Sequence, residues 1–175
     1  MVTIHPETLR ALQSHGEAAY PNEGAGLLLG REVDGGKAVV DILPLENRWG
    51  ADEQTHRYLI TPQDMLAGEN EAARRGLDVI GVFHSHPDHP AQPSGFDCDW
   101  ALPWYSYVIT SVEKGRAVVS RAWRLKEDRS GFDEEEIRNL ARSGDFSRSF
   151  GRTTDAQAVT TNFGSAETDK VTRGK

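Results

Sequence analysis

Apolar residues along the first 130 positions fall into short runs whose period changes from one stretch to the next. Over residues 6–20, Leu9, Leu12 and Ala18-Ala19 recur at roughly helical spacing, and Pro6 suits the first turn, where its missing N–H costs nothing. Leu27-Leu28-Leu29 and Ala38-Val39-Val40-Asp41-Ile42-Leu43 are separated by Asp34-Gly35-Gly36, the pattern of a β-hairpin. Arg57-Tyr58-Leu59-Ile60 predicts a further strand. Thr61-Pro62 then opens a helix to about residue 75, with Thr61 as N-cap and Gly76 as the stop. Residues 77–84, where Val79, Ile80, Val82 and Phe83 are nearly continuous, read as a buried strand. Residues 106–112 and 117–125 predict two more strands around the turn Glu113-Lys114-Gly115. The sum is an α/β domain, a central sheet flanked by at least two helices, whose strand order the pattern leaves open.

Composition adds limits. A chain of 175 residues holds one domain of ordinary size. The periodicity fades near residue 138, and residues 138–175 are rich in Ser, Thr, Gly, Arg and Asp, too polar to offset the entropy of ordering. The expected organisation is a folded domain over 1–137 and a polar tail over 138–175, mostly disordered from 143. Charge divides the same way: residues 1–137 carry 13 basic and 23 acidic side chains, and residues 138–175 carry 7 and 4. The net charge of −7 argues against a general role in binding nucleic acid, which needs a basic face. No stretch approaches the ~20 apolar residues of a membrane span, and the first residues do not resemble a secretory signal. Cys98 is the sole cysteine, so an intrachain disulfide and multi-cysteine zinc sites are excluded and a reducing cytoplasm is the expected compartment.

The stretch from His84 to Asp97 carries the chemistry. His84 and His86 stand two apart where a buried strand ends, so their side chains share a face with Cα atoms about 6–7 Å apart and can converge on one ion. Asp97 offers a third, oxygen ligand, and three protein ligands leave a fourth position open, the catalytic pattern for zinc. Each piece alone has an ordinary explanation. A strand-end histidine is usually a surface or hydrogen-bonded residue, and Ser94-x-x-Asp97 is also a capping box, whose helix would itself turn Asp97 toward a metal. Together, at these spacings, they recur by chance in roughly one chain in a few thousand. His89 has chelating reach from His86, but Pro87 and Pro90 oppose a helix there. Cys98 reads as a buried small hydrophobe, and Trp100 and Trp104 as residues packed against the sheet, with the lining of a substrate groove as the alternative.

His84-x-His86, seven residues, Ser94, two residues and Asp97 resemble the JAMM (MPN⁺) metalloprotease motif without a spacing departure. Pro21-Asn22-Glu23-Gly24-Ala25-Gly26-Leu27-Leu28 matches the family's upstream glutamate context, with Ala25 where cysteine is common. The resemblance covers about residues 3–137. It implies a cytidine-deaminase-like fold and one Zn²⁺ per chain on His84, His86 and Asp97. Glu23 is then the general base that activates water and passes the proton to the leaving amine, and Ser94 the donor to the developing oxyanion. The stretches 47–57 and 98–106, where relatives that handle ubiquitin chains carry long inserts, are short. By resemblance the expected substrate is a ubiquitin-like sulfur-carrier protein whose C-terminal Gly-Gly carries an added residue or a lysine isopeptide. The alternatives are a RadC-like protein of DNA maintenance, a phage-tail or cell-wall peptidase, and a non-catalytic MPN scaffold module. The HxE and PCxxC segments of a zinc deaminase are missing.

Overall fold

The computed structural model describes residues 1–140; the expected disordered tail, 143–175, lies outside them. Along the chain run β1 (Val2–Ile4), α1 (Pro6–Ala19), β2 (Ala25–Val33), β3 (Gly36–Leu45), a 3-10 turn (Ala51–Glu53), α2 (Pro62–Arg74), β4 (Asp78–Pro87), α3 (Gly95–Trp100), β5 (Ser106–Glu113), β6 (Arg116–Leu125), β7 (Phe132–Glu135) and β8 (Ile137–Asn139). All eight strands form one mixed sheet in the order β7-β6-β5-β4-β2-β3-β1-β8. β4 pairs parallel with β5, and β1 pairs parallel with both β3 and β8; the remaining pairs are antiparallel.

Leu27, Leu28 and Leu29 show why the central strands read as continuous apolar runs. Side chains alternate across a strand, and here both faces are covered. Leu28 packs with Leu12 of α1, Val39, Ile80, Phe83 and Val108. Leu27 and Leu29 pack with Ala72 of α2, Val79, Val82, Tyr107 and Leu125. The helices begin where local chemistry directs: Thr61 accepts from the Asp64 N–H while Asp64 bonds back to the Thr61 N–H, and Pro62 fills the first turn. Gly16 lets α1 approach the sheet closely, since a Cβ there would lie 2.8 Å from the Ser85 Cβ.

β7 and β8 stand at opposite ends of the strand order, yet only Glu136 separates them. The sheet therefore curls until one kinked segment pairs with β6 on one side and β1 on the other, and Val2 N–H donates to the Glu136 carbonyl at 2.8 Å. Lys37, 2% exposed, lies within this curl. Its ammonium donates to the Ile80 and Trp104 carbonyls and stands over the Trp104 ring. Burial, with Arg124 nearby, lowers its pKa to about 8.

Two expectations change. Residues 57–60 are not a strand, because Asn47 takes their backbone bonds: its Nδ2 donates to the Arg57 carbonyl and its Oδ1 accepts from the Leu59 N–H. β8 runs through Arg138 and Asn139, so sheet structure continues past the boundary expected after residue 137. Among the described residues no helix is long and apolar enough to cross a membrane.

Candidate metal centre and catalytic cleft

β4 lies between β2 and β5, and its buried C-terminal half presents His84 and His86 on one face. Their Nε2 atoms are 3.1 Å apart. Tyr58 stacks on His84 at 4.6 Å between centroids, and the His86 Nδ1 is 2.9 Å from the Pro90 carbonyl, which places the His86 proton on Nδ1 and aims Nε2 inward. Asp97 is the third residue of α3. The capping box forms as the sequence suggests: Ser94 N–H and Oγ–H both donate to Asp97 Oδ2, at 2.7 and 2.6 Å, and Asp97 N–H donates to Ser94 Oγ. This turns Asp97 Oδ1 toward His84 Nε2 at 3.1 Å, while Oδ2 is 3.7 Å from His86 Nε2.

Among the described residues, His84, His86 and Asp97 are the group whose ligand atoms lie close enough together to hold a metal ion. Ligand bonds of about 2.0–2.1 Å in a tetrahedral arrangement put donor atoms about 3.3 Å apart. The 3.1 Å between the two Nε2 atoms and the 3.1 Å from Asp97 Oδ1 to His84 Nε2 are close to that spacing, and one ligand atom from each of the three residues lies within 4.8 Å of the others. Burial opposes ionisation of Asp97, but the His84 charge and the bonds from His84, His86 and Ser94 outweigh it and hold the carboxyl well below the usual range. Burial lowers His86, yet Asp97, the Pro90 carbonyl and Glu23 together raise it. His84 Nδ1 is buried without a hydrogen-bond partner among the described residues. Two imidazoles and an ionised carboxylate converging in this way match the chemistry of a divalent cation.

Glu23 precedes β2 and is 5% exposed. Its N–H donates to the Gln54 carbonyl at 2.7 Å and its carbonyl accepts from Asn47 Nδ2 at 3.0 Å. Next to it, Gly24 N–H donates to Ser85 Oγ and Ser85 N–H donates to the Gly24 carbonyl, both at 2.9 Å. These bonds bind the glutamate's backbone to the strand that carries both histidines. Burial raises the Glu23 pKa, with His84 and His86 pulling the other way.

The centre stands between two concavities. A polar cleft of about 410 Å³ is lined by Glu23, His56, His86, His89, Gln92 and Ser94, among others. An apolar pocket of about 170 Å³, lined in part by Trp49, Met65, Phe96 and Trp100, reaches Asp97 from elsewhere. Trp100 is 68% exposed at that pocket and does not pack against the sheet as expected, whereas Trp104 rests on it, its indole N–H donating to Glu32 of β2 and the Lys37 ammonium of β3 standing over its ring. Cys98 is half-buried, its thiol 3.6 Å from the Arg129 carbonyl. His89 lies in the polar cleft and is not in the ligand group.

The structure brings together every site residue the sequence singled out and adds four that it did not. Ser85 looks like a spacer between two histidines. Asn47 and Gln54 hold the Glu23 backbone. Arg129, at φ 57°, donates to the carbonyls of Cys98, Asp99 and Ala101 at 2.9–3.0 Å and so clamps the end of α3. None has a short-range signal, because the bonds through which each acts span at least 24 positions of chain.

Residues 5–126 match the family of prokaryotic homologs of the JAB domain. The chain is 31% identical over 105 residues to a desampylase of Pyrococcus furiosus, covering 60% of this chain and 68% of that protein. It is 32% identical over 112 residues to a probable TtuB-protein conjugate cleaving protease of Thermus thermophilus, covering 62% and 69%. A JAB1/MPN domain protein from Archaeoglobus fulgidus shares the fold, with a TM-score of 0.52 at 18% identity over 79% of this chain and 99% of that one. With the family model matched across both the upstream glutamate and the whole His84–Asp97 segment, the chain belongs to the prokaryotic JAB-domain family.

Proposed function

We propose that this protein is a zinc-dependent peptidase or isopeptidase that hydrolyses the bond after the C-terminal Gly-Gly of a ubiquitin-like or sulfur-carrier protein. The observation that carries the reading is the convergence of His84, His86 and Asp97 beside a buried carboxylate, Glu23, at the head of an open cleft. The names of the two relatives, a desampylase and a conjugate cleaving protease, support the substrate class.

Two imidazoles and one carboxylate suit Zn²⁺, and three protein ligands are the number found in catalytic rather than structural sites. Bound there, zinc supplies Lewis-acid activation of water and of the scissile carbonyl. Glu23 takes the proton of the attacking water and delivers it to the leaving amine. Its burial fits that work, because desolvation raises a carboxylate toward the range in which a base both accepts and returns a proton. Ser94 turns its hydroxyl from Asp97 Oδ2 to the developing oxyanion, a donor worth roughly 3 kcal/mol, while its N–H keeps Asp97 in place.

Metal analysis of purified protein is expected to find about one zinc per chain. The variant carrying His84→Ala and His86→Ala is expected to hold none. Glu23→Gln is expected to retain the metal and lose turnover by about 10²–10⁴-fold. The substrate test is mass spectrometry of a carrier protein with one residue added after Gly-Gly. Activity persisting in strong chelator, or a Glu23→Gln enzyme with unchanged turnover, would overturn the mechanism.

A further inference from the structure

His56 and His89 face one another across the polar cleft, with ring centroids 6.4 Å apart and planes at 71°. Both are exposed to the cleft, and neither has a hydrogen bond to its ring nitrogens among the described residues. Their loops are nonetheless held in place. The His56 N–H donates to the Glu53 carbonyl, and Gln54 ties that loop to the carbonyls of Asn47 and Trp49 and to the Glu23 N–H. His89 comes after Asp88, a left-handed residue at φ 54° whose N–H donates to the Val112 carbonyl. The Asp88 carboxylate accepts from Tyr20 Oη–H and the Lys114 N–H. Beyond His89, the Pro90 carbonyl is held by His86.

We infer that His56 and His89 form a binding site for the free α-carboxylate of the residue that leaves after the Gly-Gly. This rests on the peptidase reading above. The leaving amine lies at Glu23, which returns its proton, and the α-carboxylate of that same residue then stays within one residue's reach of Glu23, in the cleft that His56 and His89 also line. Among the described residues, Glu23 is the one acidic side chain lining this cleft and no lysine or arginine lines it, so His56 and His89 are the ring N–H donors there outside the candidate ligand group, with the Gln92 amide and Thr55 hydroxyl beside them. An imidazole offers an N–H in its neutral and its charged form. A centroid separation of 6.4 Å lets one carboxylate, lying on the open side of the pair and not between the rings, bridge a nitrogen of each at about 2.8 Å. The chemistry selected is removal of a single C-terminal residue in preference to cleavage of a lysine isopeptide.

The test compares three substrates with the zinc-loaded enzyme. These are a carrier protein ending Gly-Gly-Ala as the free acid, the same protein as the C-terminal carboxamide, and the carrier joined through Gly-Gly to a lysine side chain within a peptide. Wild-type kcat/KM is expected to favour the acid over both others by at least about tenfold. The double variant H56Q/H89Q is expected to bring the acid-to-carboxamide ratio to about one. Equal rates on acid and carboxamide in the wild type, or an unchanged ratio in the double variant, would overturn the inference while leaving the peptidase reading intact. Failure to cleave any of the three overturns both.

Discussion

Ser85 shares two hydrogen bonds with Gly24, one through its hydroxyl and one through its backbone, and both join the glutamate segment to the histidine strand. Ser85→Ala removes the acceptor of a buried N–H. The expected loss of stability is about 1–3 kcal/mol, measured by denaturant unfolding. Metal content is expected to hold, because His84 and His86 stay on their strand, whereas turnover falls as Glu23 loses its register. Stability lost without any change in turnover would show that Glu23 is positioned by Asn47 and Gln54 instead.

α3 is six residues long and would be marginal by itself. It is held at its start by the Ser94–Asp97 capping box and at its end by the three bonds of Arg129. Because Asp97 belongs to this short element, loosening its end moves a proposed metal ligand. Arg129→Ala is expected to weaken zinc affinity about tenfold in a chelator-competition assay, since partners that orient ligands are worth that order. Arg129→Lys, which keeps a charge but cannot reach three carbonyls with a planar fork, is expected to restore only part of it. α1 poses the opposite problem, close approach. Gly16→Ala puts a methyl against Ser85 and is expected to destabilise despite its better helix propensity, because overpacking costs about 1–3 kcal/mol against ~1 kcal/mol gained.

The closing segment β7–β8 ties the two ends of the sheet together, covering residues 122–125 of β6 with one half and β1 with the other. A chain ending at residue 142 keeps every described strand and is expected to retain its fold and metal. One ending at residue 130 loses the closure and is expected to unfold or aggregate, read by circular dichroism and size-exclusion chromatography. Lys37, inside the curl, makes stability depend on pH. Its folded pKa, about 8, lies below that of a free lysine near ~10.4, so between these values the unfolded chain binds the extra proton. Unfolding free energy of the wild type, taken relative to Lys37→Met, is therefore expected to rise with pH through that window; a flat difference would show that the lysine stays charged in the fold.

What the sequence determined by itself was local. The 34–36 turn, the Thr61 and Ser94 caps and the spacing of His84, His86 and Asp97 each depend on interactions spanning at most 13 residues, which chain geometry alone constrains. The tertiary structure decided the rest. The three paired positions of β1 and β8 mean nothing until β3 stands beside them, and Asn47 outweighed the strand propensity of residues 57–60 by taking their hydrogen bonds. Trp100 was left at the surface beside Asp97, because a six-residue helix has too little length to bury both its faces. Glu23 meets a histidine 61 positions away because antiparallel pairing of β2 with β4 sets Ala25 opposite His84. Sequence spacing could name the candidate ligands; only the sheet could set Glu23 beside them.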